Sequence, residues 1–229
     1  MSTAPDTPAL RHLRHGKARL ALHSLRGAVP GAATDRPLLL VHGLGERTPA
    51  GVPTVAEGWP GPVLGLDLTG HGASDPAPGG GYTAETLMAD VDVALAEIGP
   101  ATVMGRGLGA YLALLVAGGR PELVRGAVLT DGPGLVGGGI RPGSPSIPRL
   151  RPARGATPDP FALHELARDV RPPDYAVEFV RLAMEWSGLE HPVAVCTVVR
   201  PEWLAAVQDQ PGVLDTTVDE ALRRFADGS

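Results

Sequence analysis

The stretch from Ala101 to Gly119 constrains the fold of this chain more than any other. A short apolar run, Ala101-Thr102-Val103-Met104, enters a turn with glycine at 105, 107 and 109, and an apolar helix-forming segment follows to Gly119. That pattern predicts a strand, a tight turn and a helix. The alternate glycines have the spacing of a nucleophile elbow, in which a strained backbone lifts the middle residue and small flanking residues relieve crowding. The middle residue here is Gly107. In G-x-S-x-G the serine hydroxyl is the attacking group, so Gly107 supplies the geometry of covalent catalysis and withholds its chemistry.

Around this corner the chain alternates strand and helix patterns. Leucines at 20, 22 and 25 within Ala18 to Arg26 suit an edge strand or hairpin, with His23 as a surface residue. Leu38-Leu39-Leu40-Val41 and Val63-Leu64-Gly65-Leu66-Asp67-Leu68 are continuous apolar runs, as expected of parallel strands covered on both faces. The first ends in His42-Gly43-Leu44-Gly45 and the second in Thr69-Gly70-His71-Gly72. Thr83 is placed to cap a helix that carries Leu87, Val91, Leu95 and Ile98, stopped by Gly99-Pro100. Val124 to Thr130 is the next strand, ending at Asp131-Gly132-Pro133.

The rhythm then breaks. Leu135 to Pro160 is rich in glycine and proline and has no clear period, as in a lid or binding loop. Asp159-Pro160 predicts a short helix to about Asp169, and Asp174 is expected to cap another on which Val177, Val180 and Met184 share a face. Val193 to Val199 predicts a strand, Pro201-Glu202-Trp203 opens a helix, and Thr217 with Glu220 predicts a capping box on the last one. The expected organisation is a single domain over 1–229, with a flexible tail at 1–16 and a reduced cap at 135–190.

Composition narrows the function. A net charge of -5, with no basic stripe, argues against nucleic acid as a partner. The single Cys196 excludes an intramolecular disulfide. No segment has the roughly 18 apolar residues of a membrane helix, and the basic N-terminus lacks the apolar core of a secretory signal, so a cytoplasmic protein without membrane contact is expected. No histidine, cysteine or carboxylate group has metal-ligand spacing, and no cofactor is expected. Oligomeric state is not written in the sequence.

Three signatures occur in order: Leu38 to Gly43, Asp67-Leu68-Thr69-Gly70-His71-Gly72-Ala73-Ser74, and Gly105-Arg106-Gly107-Leu108-Gly109. Together, over about Arg36 to Pro133, they resemble the α/β-hydrolase superfamily. The resemblance implies a mostly parallel sheet with helices on both faces. It also implies an oxyanion hole built from backbone N–H groups near Leu44 and at Leu108, with His42 and Gly43 in the adjoining loop. His42 reads first as a loop residue packed under the turn and only then as a chemical group, and Arg106 first as a solvent-facing or ion-paired turn residue and then as a helper for an anion.

The family's catalytic side chains find poor counterparts. Gly107 stands at the nucleophile position, Asp131 holds one possible acid position, and no histidine follows His191. The expectation is a degenerate member that binds a small-molecule ligand through His42, Gly43, Leu44, Arg106, Gly107 and Leu108 without serine hydrolysis. Three alternatives stand beside it. One is an unconventional or cofactor-independent enzyme using His42, His71 or His164. Another is an interaction scaffold anchored by Trp59, Trp186 or Trp203. The third is dinucleotide binding at Gly105 to Ala110, with Asp131 as the acidic partner.

Overall fold

The computed structural model describes residues 9–31, 34–138 and 157–228. They form an eight-stranded sheet in the order β1-β2-β4-β3-β5-β6-β7-β8. Strands β3 (Leu38–Val41), β4 (Val63–Asp67), β5 (Ala101–Arg106), β6 (Val124–Thr130), β7 (Val193–Cys196) and β8 (Val213–Asp215) are parallel. An antiparallel hairpin, β1 (Ala9–His15) and β2 (Ala18–Arg26), is joined to β4 at one edge.

The hairpin corrects the expected tail. Residues 9–15 are strand and not a free segment, because a two-residue turn at Gly16-Lys17 registers His15 against Ala18 and Leu13 against Leu20. Its basic residues suit an exposed edge, where charge discourages pairing with another chain. Residues 1–8 lie outside the described residues, as does most of the proline-rich stretch, 139–156.

Alternation along the buried strands divides the core in two. Leu39, Val41, Val103, Leu129 and Val195 meet a layer of α1 (Ala84–Ile98), α2 (Leu108–Gly119), α4 (Pro173–Trp186) and α5 (Glu202–Gln208). Leu38, Leu40, Met104, Val128 and Ala194 face the other way, onto α6 (Val218–Asp227) and the 3₁₀ turn Thr54–Ala56. The first layer is thick: every residue of α2 from Leu108 to Gly118 is buried. The second is thin.

Several caps fall where the side-chain chemistry places them. Thr83, Asp159 and Thr217 accept from the N–H groups of Thr86, Phe161 and Glu220 at the starts of α1, α3 (Pro160–Leu166) and α6. Asp174 does not cap α4; Pro172 holds that position, Pro173 opens the helix, and Asp174 sits in its first turn, where its charge complements the helix dipole. α3 ends at Leu166, short of Asp169. Within the expected cap, α4 is a member of the sheet-covering layer, packed on α2 and α5.

Candidate functional site

β5 runs into α2 through Gly107, whose φ of 60° and ψ of -117° lie in a region open essentially to glycine or to a strained residue. The flanking glycines allow close approach: a Cβ at Gly109 would collide with the Val41 carbonyl, and one at Gly105 would overlap the first turn of α2. The elbow backbone is therefore built. The segment from β6 closes over it.

Gly107 donates its N–H to the Thr130 carbonyl at 3.0 Å. The N–H of Leu108 reaches the Pro133 carbonyl oxygen at 2.9 Å, and the N–H of Leu44 reaches the same oxygen at 3.0 Å. Two convergent donors thus share one acceptor supplied by the chain itself. A Cβ at Gly107 would overlap the Pro133 oxygen and lie 2.6 Å from the Gly132 carbonyl carbon. The space above the apex is filled by backbone.

Polar links hold that segment. Glu46 accepts from the Gly43 N–H at 3.0 Å and pairs with Arg106 at 3.0 Å, while Arg106 also donates to the Asp131 carbonyl at 3.2 Å. The Asp131 carboxylate accepts from the N–H groups of Val198 and Val199, at 2.6 and 3.0 Å. It ties the ends of β6 and β7 together.

Two histidines, in the loops that follow β3 and β4, have ring centroids 5.0 Å apart. His42 accepts from the Leu68 N–H at Nε2, so the proton sits on Nδ1, which donates to the Gly43 carbonyl. Burial lowers its pKa. His71 is fully buried and donates from Nδ1 to the Thr69 carbonyl, leaving Nε2 without a partner. Burial, and then the neighbouring His42, push its pKa down to about 4.

On the thin side of the sheet a cavity of about 880 Å³ opens at the C-terminal ends of the strands. Leu40 lies opposite Met104, and Thr130, two residues beyond Met104's own partner on β6, lies opposite Cys196; these four line it together with Val55 and Val218. The volume suits a small organic ligand. Burial, and then the charge of Asp215, push the Cys196 thiol up to about 12, far from a reactive thiolate.

The model of the alpha/beta hydrolase family matches residues 38–228. The chain belongs to that family. The thioesterase domain from the curacin biosynthetic pathway is similar in structure, with a TM-score of 0.58 and 16% identity, over 96% of this chain and 98% of that one. The haloalkane dehalogenase DatA from Agrobacterium tumefaciens has a TM-score of 0.62 at 16% identity, covering 96% and 98%. A deformylase from Pseudomonas putida gives 0.62 at 15% identity, covering 93% of each chain. These are likenesses of fold. No curated protein matches the chain.

Within this alpha/beta hydrolase the residues expected at the site are brought together unevenly. Leu44 and Leu108 converge as two donors, and Gly43, Arg106 and Gly107 surround them. His42 lines the cavity, but both of its ring nitrogens are engaged by backbone. Asp131 also lines the cavity, and the N–H groups of Val198 and Val199 occupy its carboxylate. Because the N–H groups of Gly107 and Leu108 are taken, the Gly105 to Ala110 turn presents neither to a dinucleotide phosphate. After β8 only Thr216 and Thr217 precede α6. Trp59 and Trp203 are buried in the core, whereas Trp186 is 64% exposed.

Sequence reasoning missed two features. Pro133 carries no reactive side chain, so nothing marked its carbonyl as the occupant of the nest. His23 is not simply a surface residue: its Nε2 meets the buried Asp67 carboxylate at 3.0 Å. Burial alone would raise Asp67, but the N–H groups of Ala73 and Thr48 and the His23 ring outweigh it and hold its pKa below the ordinary value.

Proposed function

We propose that this protein is a non-hydrolytic alpha/beta hydrolase that binds a small molecule in the cavity on the α6 side of the sheet. The observation that carries the reading is the Pro133 carbonyl, which takes the N–H groups of both Leu44 and Leu108. Oxyanion stabilisation needs donors aimed at vacant space where charge develops, and here the developing charge would have to displace a backbone oxygen. Gly107 contributes no nucleophile, and the nearby His42 has no free nitrogen with which to serve as a base. Ligand binding is supported by the cavity, whose apolar floor is independent of the elbow.

A paired assay of the protein and its Gly107→Ser variant on short-chain p-nitrophenyl esters, beside an active relative, tests the first half. Both are expected to be silent. Turnover by the unaltered protein, removed by a single substitution near the elbow, overturns it.

A further inference from the structure

The cavity has a chemical bias at its rim. Two carboxylates reach it, and both already act as acceptors: Glu46 for Gly43 and Arg106, Asp131 for Val198 and Val199. The donors are less fully used. Arg47 is an exposed guanidinium that makes no hydrogen bond or ion pair among the described residues. Next to it Thr48 is buried, and its hydroxyl makes no hydrogen bond of ordinary geometry, although a weaker one to Asp67 helps hold that carboxylate's pKa low.

Arg47 and Thr48 also line an adjoining cavity of about 540 Å³, so they stand where the two spaces meet. The one carboxylate in that second space, Asp67, is buried and turned onto the N–H groups of Thr48 and Ala73 and onto His23. The unspent capacity at the junction is therefore that of a cation and a hydroxyl donor. A buried hydroxyl without a well-formed hydrogen bond is costly and gains most from an acceptor. A guanidinium holds a planar anion through parallel N–H groups.

We infer that the cavity takes an amphiphilic organic anion. Its apolar body lies on Leu40, Met104 and Val55, and its carboxylate or similar head group meets Arg47 and Thr48. This assignment rests on the ligand-binding reading of the cavity. Neutral apolar molecules and organic cations fit the same floor but leave both donors unanswered.

The test is fluorescence titration of the full chain with two dyes that share one ring system, neutral N-phenyl-1-naphthylamine and anionic 8-anilino-1-naphthalenesulfonate. The anionic dye is expected to bind about tenfold more tightly. Arg47→Gln should remove that preference while changing the neutral dye less than twofold, and Thr48→Val should reduce it severalfold. Val55→Trp, at an exposed rim position, should weaken both dyes at least tenfold. Decanoate should displace the bound anionic dye, and decan-1-ol should not. Equal binding of the two dyes, or a preference that survives Arg47→Gln, overturns the anion assignment and leaves the cavity as a ligand site. Binding of neither dye, or no response to Val55→Trp, overturns the ligand-site reading itself.

Discussion

The elbow and the cavity lie a few residues apart along β5, yet one is sealed and the other open. At the elbow a thick helix layer, a glycine turn and the Gly132-Pro133 segment leave no space, and the N–H groups of Leu44, Gly107 and Leu108 all have backbone acceptors. Across the sheet, α6 and the 3₁₀ turn with Trp59 are what pack against Leu40, Met104 and Cys196 among the described residues, and a cavity remains. The contrast teaches that the backbone of such a turn can be packed shut by a neighbouring segment while the other face of the same sheet keeps open space. Binding space then arises where the covering layer is thinnest.

The comparison is tested most severely by Gly107→Ser. A left-handed backbone and a Cβ driven into the Gly132-Pro133 carbonyls should together cost about 4 kcal/mol, lowering Tm by roughly 10 °C, without creating esterase activity. An unchanged Tm would mean that the elbow is not sealed.

Acid should have the next largest effect, through His71. His71 is neutral when folded, with a pKa of about 4, but titrates near the ordinary value of about 6.5 when unfolded. Between those values the unfolded chain binds more protons, so stability rises with pH through this window and levels off above it. The contribution is roughly 3 kcal/mol, read as Tm from pH 4 to 8. His71→Phe should flatten the profile. Asp67, held low, acts further down: its contribution is full above about pH 4 and is lost as pH falls through its folded pKa.

A smaller effect is expected of Asp131→Ala, which leaves the N–H groups of Val198 and Val199 without their acceptor. Denaturant unfolding should show a loss of about 2 kcal/mol, while ester turnover remains absent. The smallest is Val55→Trp, on the open side. At an exposed position it should alter stability by less than about 0.5 kcal/mol even as it obstructs the cavity. A large loss there would show that the thin layer is more tightly packed than its cavity suggests.

Much of the fold was legible because its signals are local. The apolar runs at Leu38 and Val63 became fully buried parallel strands, and Thr83, Asp159 and Thr217 cap helices because each side chain reaches an N–H two or three residues on. β1 was not legible, since Leu13 is its one buried side chain among the described positions, and pairing with β2 rather than pattern makes it a strand. The site was legible only as residue types at positions.

By itself the sequence determined that glycine stands at 107, that Thr216-Thr217 leads directly into a capped helix, and that the elbow lies at the end of a buried strand. These are properties of neighbouring residues. Only the tertiary structure decided that the carbonyl of Pro133, 26 residues from Gly107 in the chain, would take both backbone donors, that His23 would meet Asp67, and that the layer opposite α2 would leave a cavity. A backbone oxygen has the same chemistry in every residue, and the gap belongs to the spacing between elements. Neither can be assigned until the sheet brings the distant segments together.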